Sequence, residues 1–506
     1  MTREFQIFSH VRTLVDVHLA RRSQAACRRV GLGVVMLLLG FLATVSNDPA
    51  LAQDTPPPPP AEVDLERIGS VRDDTLFVDL AMVIEAALER NEMLAASASL
   101  SDAANAEALG AWRGFLPRIR IGEYFVRSNN ALDAFAFKLN KRAVDPMNDF
   151  TPDAINNPPT AEQFNTQFML MQPIFNGLMG INGKQAADKA ARAAQFNHKR
   201  ATETVVYQAI QTYQGLALAK AFEEVMQVAV TSAAGHVRQA NAMVEAEMAT
   251  AADLLQAEVF LSNLQQQLIE THNLVAIAGE NIKLLTAIQT QLPLAPAQLL
   301  IEQELENMPQ ELDLTAIVQR SDLQAHRLRT EAAAKMVNVA WGAVIPHINL
   351  SVQKDLFGEQ IFSDDADSWR LGIFGTWDIF SGLENVGNIK KAKAEKRAAE
   401  YMYHFEMRQA RVQATQAWLE ASAALEKVNV ARDAVKAAQE GLRIVSNQYR
   451  EGLATMVDLL DTQAAATRAE GNLMQALHDY KVGLARLEYT GAREYASATD
   501  LSPNQE

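Results

Sequence analysis

The sequence predicts a mixed α/β fold, mainly α-helical, in which each copy of the chain carries four strands and long helical hairpins. Three observations predict it. Short motifs recur in the same order in both halves, two pairs of segments alternate with the period of a strand, and Ala- and Gln-rich stretches have the composition of long helices. No proline occurs between Gly177 and Pro293, so one helical hairpin can fill that interval.

Three pairs of matching segments indicate an internal duplication. Residues 173–177 (PIFNG) match 378–382 (DIFSG), and residues 248–255 match 453–460, both at an offset of 205. Residues 111–121 match 340–350 at an offset of 229. A unit of about 200 residues is too long for a solenoid repeat, so two half-structures should lie side by side.

The first 52 residues have the pattern of an export signal. Arg28 and Arg29 precede an apolar run over 30–45, and Ala50-Leu51-Ala52 forms an A-x-A cleavage site. The run is short for a membrane span of about 20 residues. We therefore expect a cleaved signal peptide over 1–52. Because the only cysteine of the sequence is Cys27, the mature chain should contain no thiol.

The mature chain is predicted to consist of two repeats joined and flanked by irregular segments. Pro and polar clusters set the boundaries: a Pro-rich spacer over 53–74, a first repeat over 75–292, a connector over 293–310, a second repeat over 311–491 and a C-terminal tail over 492–506.

The first repeat should contain one helix, one β-hairpin over 118–175 and one long helical hairpin. The apolar spacing predicts a helix over 79–114, strands over 118–126 and 164–175, and helices over 183–245 and 254–292. The two strands are separated by a polar loop of about 35 residues, which is long for an ordinary connection.

The second repeat follows the same plan with a shorter hairpin over 347–380. The predicted elements are a helix over 320–342, strands over 347–354 and 369–380, and helices over 383–448 and 457–490. The helix over 383–448 has 66 residues, which is about 100 Å at ~1.5 Å per residue. Such a rod suits a coiled-coil scaffold or a structure that spans a distance.

Four strands are too few to close a barrel, which needs about eight or more. After residue 52 no run of 18 apolar residues occurs, so a membrane crossing would use strands, and open sheet edges are not tolerated in lipid. Three copies would supply twelve strands. The aromatic residues of both hairpins suit the girdles that β-barrels carry at the membrane interfaces. The alternative is that each apolar hairpin packs on helices. These aromatic residues are Tyr124, Phe125, Phe168, Phe175, Trp369, Phe374, Trp377 and Phe380.

Composition and motifs argue against an enzyme and against a nucleic-acid partner. The net charge is -15 and no basic stripe is present. Seven histidines are scattered beyond residue 52, and no Gly-rich phosphate loop or H-E-x-x-H motif occurs. We therefore predict no catalytic residues, no cofactor and no metal site.

Four features of the sequence resemble the TolC-type outer-membrane efflux protein family. Each repeat has the family's first-helix pattern, seen over 87–94 and 320–323, and a Leu-Pro or Ile-Pro step before its first strand. Each second strand leaves through PIFNG or DIFSG, and the last turn reads YREG followed by DLLDTQ. The order and duplication of these motifs over 76–491 carry the resemblance.

The resemblance implies a homotrimer with a 12-stranded β-barrel in the outer membrane and a 12-helix α-barrel in the periplasm. It also implies docking to a periplasmic adaptor (membrane fusion) protein and, through it, to an inner-membrane RND or ABC transporter. The chain itself would be the passive exit duct of a tripartite efflux or type I secretion system. An exported trimeric coiled-coil scaffold, or a periplasmic adaptor without a pore, remains the alternative.

The resemblance also assigns roles at the helix tips. Asp458 and Asp461 match the family's paired acids at the pore constriction, and Tyr449 matches a latch tyrosine for which Asp253 is the candidate hydrogen-bond partner. The alternatives are that the acids cap or solvate helices and that Tyr449 only packs. The two turns between the long helices match the family's adaptor-contact tips. The alternative is that they only close the loops. Their residues are Met248, Ala249, Thr250, Gly452, Leu453, Ala454 and Thr455.

The sequence departs from the family pattern at two tip positions. Ala454 stands where the family often has a basic latch residue, and Glu247 stands where the second turn has Gly452. These departures argue against a strong ionic latch, and the latch is either ionic or hydrogen-bonded.

Overall fold

The computed structural model describes residues 69–302, 305, 307–308, 311–312 and 314–491. The predicted signal peptide, most of the Pro-rich spacer and the predicted tail over 492–506 lie outside the described residues.

The described first repeat contains two short strands, a β-hairpin and helices on either side of it. The elements in chain order are β1 (Gly69–Arg72), β2 (Thr75–Val78), α1 (Leu80–Arg90), α2 (Glu92–Gly110), β3 (Arg118–Ser128), α3 (Ala131–Asn140), α4 (Pro152–Asn156), β4 (Ala161–Asn176), α5 (Met179–Glu245) and α6 (Ala251–Thr286).

The second repeat has a simpler set of elements. They are β5 (Leu294–Pro296), α7 (Ser321–Gly342), β6 (His347–Gly358), β7 (Ala366–Thr376), α8 (Glu384–Arg450) and α9 (Met456–Tyr489). In the described part of the chain, no helix combines the length and the apolarity of a membrane span.

Several predicted boundaries were wrong. The spacer and the connector both contribute strands, because β1 pairs with β2 and β5 pairs in parallel with β2. The apolar side chains of Leu76, Val78 and Leu294 are buried there, which the Pro-rich composition concealed. The helix predicted to reach 292 ends at Thr286, and Ala287 follows in a left-handed conformation (φ 53°).

The helix predicted over 79–114 is interrupted at Asn91. This residue is extended (φ -65°, ψ 117°), and its side-chain oxygen accepts from the Leu94 N–H at 3.1 Å. Its side-chain amide donates to the Leu285 carbonyl at 3.0 Å. Asn91 thus caps α2 and ties the break to α6, a tertiary contact that helical periodicity does not reveal.

The long loop of the first hairpin was also predicted incorrectly, because it contains α3 and α4. Asn130 caps α3 by accepting from Leu132 N–H at 2.9 Å, and Thr151 caps α4. An ion pair between Lys138 and Asp149 joins the segment. Local caps and pairs therefore order a stretch whose polar composition suggested an irregular loop.

The four long strands form one antiparallel sheet in the order β3-β4-β6-β7. Within the described chain, β3 and β7 each pair on one side only, so both are edge strands of 11 residues. Four strands in two hairpins were predicted. The observed β6 extends to Gly358 rather than to 354, and β7 ends at Thr376 rather than at 380.

Side chains alternate between the two faces of this sheet. The register puts apolar residues on one face, where Trp369 and Ile373 are each 73% exposed. This apolar face carries Ile119, Ile121, Phe125, Phe164, Phe168, Leu170, Val352, Leu356, Trp369, Leu371 and Ile373. The opposite, polar face carries Arg, Gln, Asn, Ser and Asp side chains, interspersed with Tyr124, Val126, Met169, Met171, Phe357 and Phe374.

The two long helices have the same length and occupy equivalent positions in the two repeats. α5 and α8 have 67 residues each, or about 100 Å at ~1.5 Å per residue. Both follow a Gly-Leu pair with positive φ: Gly177 and Leu178 (61° and 62°), then Gly382 and Leu383 (61° and 72°). The starts and ends of both helices therefore lie 205 residues apart, as the repeat predicts.

Small residues line the seam between α8 and α9. The buried positions of α8 recur at intervals of three or four residues, as expected for one face of a helix: Ala410, Ala414, Ala417, Ala421, Ala424, Val428 and Ala431. Gly483 of α9 lies opposite Ala421, and a Cβ at Gly483 would come within 3.2 Å of the Ala421 Cα. The rods approach closely because neither position has a bulky side chain.

We predict that Gly483→Val lowers the free energy of unfolding of the helical part by about 1–3 kcal/mol, because the added methyl groups overpack this seam. Gly387→Val is the matched control, since Gly387 is exposed on α8 with no neighbouring atom within 4 Å. Denaturant unfolding followed by helical circular dichroism measures both. Equal midpoints for the two variants would contradict the close packing.

Candidate functional site at the helix tips

The two helical hairpins turn through closely similar five-residue connections. At the first turn, Met248 N–H donates to the Met243 carbonyl at 2.8 Å, and at the second Leu453 N–H donates to the Gln448 carbonyl at 2.8 Å. These six-to-one bonds are typical of a Schellman ending. The left-handed position is Glu247 (φ 58°) in one turn and Gly452 (φ 72°) in the other, so the first turn holds a side chain in a conformation that favours glycine.

A capping box follows each turn. The Asp253 carboxylate accepts from Thr250 N–H at 2.9 Å and from its hydroxyl at 2.8 Å, and the Thr250 hydroxyl accepts from Asp253 N–H at 3.3 Å. Asp458 and Thr455 repeat the three contacts at 3.0, 2.6 and 3.2 Å. The N-cap residues are therefore the threonines, and each aspartate is the third helical residue.

The cap fixes the charge of Asp458. The Thr455 hydroxyl first, and then its N–H, hold the pKa of Asp458 below its usual value of 3.8. Because the pKa of Asp458 is lower in the folded than in the unfolded state, its ionised form stabilises the fold. This stabilisation is complete above the unfolded-state pKa and is lost as the pH falls through the folded-state pKa. Asp458 is thus ionised at neutral pH. Asp461, one helical turn further on, is exposed.

Tyr449 is part of the core that joins the two tips. Its side chain is 3% exposed, and it packs with Ala240, Ala257, Met456, Leu459 and Leu460 from α5, α6 and α9. The equivalent position of the first repeat, 205 residues earlier, is Val244. One aromatic ring on one hairpin therefore joins the two hairpins.

The predicted hydrogen bond between Tyr449 and Asp253 is not formed in the described chain, where the Tyr449 hydroxyl is buried without a hydrogen-bond partner. One oxygen of Asp253 instead accepts from both the N–H and the hydroxyl of Thr250. Burial, with a smaller effect of the Asp253 charge, raises the pKa of Tyr449 above its usual 10.0. The hydroxyl is therefore neutral at physiological pH.

The residues predicted to contact an adaptor lie on the turns. Met248 and Leu453 are 64% and 74% exposed, Gly452 is exposed, and Ala249 and Ala454 are partly covered. Thr250 and Thr455 serve as the N-caps, a role that the T-x-x-D spacing could have revealed in the sequence. Each tip therefore presents one large apolar side chain to solvent.

Behind the tips, a buried polar contact links α5 to α9. His236 Nε2 lies 3.3 Å from the Gln463 side-chain oxygen. Burial lowers the pKa of His236, against a smaller opposing effect of Gln463, so the imidazole is neutral at physiological pH. His236 is therefore a packing residue between α5 and α9.

Comparison with known proteins agrees with the resemblance seen in the motifs. The family model of outer membrane efflux proteins matches residues 314–490. The outer membrane efflux protein BepC of Brucella suis biovar 1 is 24% identical over 326 residues, which are 64% of this chain and 71% of BepC.

Solved structures share the fold at low sequence identity. The CusC transmembrane channel has a TM-score of 0.72 and 16% identity, over 87% of this chain and 98% of CusC. The CmeC outer membrane channel of Campylobacter jejuni has a TM-score of 0.70 and 17% identity, over 83% of this chain and 88% of CmeC. The predicted fold class, mainly helical with four long strands in each chain, is confirmed.

We predict that Tyr449→Phe raises the free energy of unfolding by about 1 kcal/mol, since it removes a buried hydroxyl without a partner. Tyr213→Phe is the matched control, because Tyr213 is also 3% exposed but its hydroxyl bonds to the Gln298 backbone. That change should be destabilising. If Tyr449→Phe is equally destabilising, the hydroxyl has a partner in the assembled protein, as a latch requires.

Proposed function

We propose that this chain, whose residues 314–490 match the family model of outer membrane efflux proteins, is the passive exit duct of a tripartite efflux or type I secretion system. It acts as a homotrimer in the outer membrane, with its helical part in the periplasm. It catalyses no reaction, and an inner-membrane transporter supplies the energy.

The observation that carries the proposal is the four-stranded sheet. Its apolar face is exposed, and its edge strands β3 and β7 have no partner on their outer sides within the described chain. Unpaired backbone groups are costly in lipid, where only closed barrels satisfy every strand. Three copies, with β7 of one beside β3 of the next, give a closed barrel of twelve strands whose apolar face meets the lipid.

The helical part extends this conduit away from the membrane. α5 and α8 each give a rod of about 100 Å at ~1.5 Å per residue, and the shorter helices α2 with α6 and α7 with α9 complete two further rods. Three copies then supply twelve rods around the same axis. This length supports a duct that crosses most of the periplasm.

The tips are the gate and the docking point of this duct. Three copies bring six carboxylates, from Asp458 and Asp461, around the axis, and such acidic rings favour cations. Tyr449, packed between the two hairpins of one chain, and Asp253 of the first tip are the candidate latch of this gate. The exposed Met248 and Leu453, with the small residues beside them, are the contact points for the periplasmic adaptor.

The sheet also distinguishes the proposal from its alternatives. A coiled-coil scaffold or an adaptor without a pore needs the helical hairpins but gains nothing from an exposed apolar sheet. Exposed apolar patches of this kind mark interfaces with lipid or protein. An outer-membrane RND- or ABC-coupled duct accounts for both parts of the chain.

We predict that Asp458→Ala with Asp461→Ala raises single-channel conductance and weakens block by hexamminecobalt(III) severalfold in planar bilayers, because the acidic ring is removed. Asp433→Ala is the control, since the Asp433 side chain is 81% exposed on α8, away from the tips. It should leave conductance and block unchanged.

Two results would count against the proposal at different levels. Unchanged block in the double variant would reject the acidic constriction alone. Wild-type protein that forms no ion-conducting pore in the bilayer would reject the exit duct itself.

A further inference from the structure

The polar face of the four-stranded sheet is positively charged, in a chain whose net charge is -15. Its charged side chains, apart from His347, are Arg118, Arg120, Arg370 and Asp355, as the strand register and the alternation of side chains require. The register aligns Arg120 with Met169, Gln353 and Arg370 in one row across all four strands.

The single acid of this face does not neutralise the arginines. The Asp355 carboxylate accepts from the side-chain amides of Asn165 at 3.4 Å, Gln167 at 3.2 Å and Gln353 at 2.9 Å. It is only 6% exposed. Neutral amide donors thus surround Asp355 and keep it beneath the surface of the face.

The three arginines, by contrast, are exposed. Arg118 and Arg120 lie on β3 and Arg370 lies on β7, and all three are open to solvent. In the described chain none of them forms an ion pair. On the apolar face, by contrast, Arg127 pairs with Glu162 at 3.2 Å and Lys354 pairs with Asp367 at 3.6 Å.

We propose that these arginines form an anion-attracting belt on the inner wall of the duct, at the membrane end of the conduit. The inference rests on the proposed function, because closure of the sheet with its apolar face to lipid turns the polar face inward. Three copies contribute nine guanidinium groups. The belt recognises small anions and the carboxylate, phosphate or sulfonate groups of a passing cargo.

The chemistry of guanidinium favours this role. Arginine stays charged at any physiological pH and binds planar or tetrahedral oxyanions through a fork of N–H donors. Rings of arginine or lysine favour anions in pores. The duct would therefore carry two charged regions of opposite sign along its length. The acidic region at the tips favours cations, and the basic region within the membrane favours anions.

The test compares the triple variant R118Q/R120Q/R370Q with wild type in planar bilayers under a KCl gradient. The reversal potential gives the anion-to-cation permeability ratio, and tripolyphosphate added from the barrel side probes the belt directly. R127Q is the matched control, because Arg127 lies on the same edge strand but on the apolar face. R120Q and R370Q alone serve as milder variants if the triple variant does not assemble.

We expect the permeability ratio to fall severalfold in the triple variant, and part of the way in each single variant. Tripolyphosphate should block wild type and R127Q more strongly than the triple variant. If the variants conduct with the wild-type ratio and the wild-type block, the belt is rejected while the duct stands. If wild type conducts no ions at all, the proposed function is rejected, and the belt with it.

Discussion

The structure depends on one constraint, which is that every backbone N–H and C=O group in a sheet must find a partner once water is excluded. β3 and β7 leave one row of such groups unpaired on each side of the sheet. In water an edge of this kind invites association, and in lipid it is not tolerated. In the proposed duct the exposed apolar face lies in lipid, and further copies of the chain supply the missing strands.

The helical part follows from the same duplication but meets a different requirement. Small residues such as Ala421 and Gly483 let α8 and α9 pack closely. Matching capping boxes at Thr250 and Thr455 start the second helix of each hairpin in the same way. The two repeats differ from each other at their tips. Tyr449 replaces the equivalent Val244, and Gly452 relieves the left-handed turn that Glu247 must adopt.

Much of this architecture could be predicted from the sequence because it depends on local signals. The Ala- and Gln-rich composition located α5 and α8 to within a few residues of their observed ends, and the strand pattern located all four long strands. The break at Asn91 could not be seen, since it depends on a contact with Leu285, far away in sequence. The bond between Tyr449 and Asp253 was expected from a resemblance, but the nearer donors of Thr250 hold the carboxylate.

The number of chains in the detergent-solubilised, mature protein tests the central claim most directly. Native mass spectrometry measures it without assuming how the strands of neighbouring copies are aligned. The account predicts a single species of three chains that persists at low protein concentration, because each copy closes the edges of the next. A stable, folded species of one chain would contradict it, since one chain leaves both edges of its sheet open.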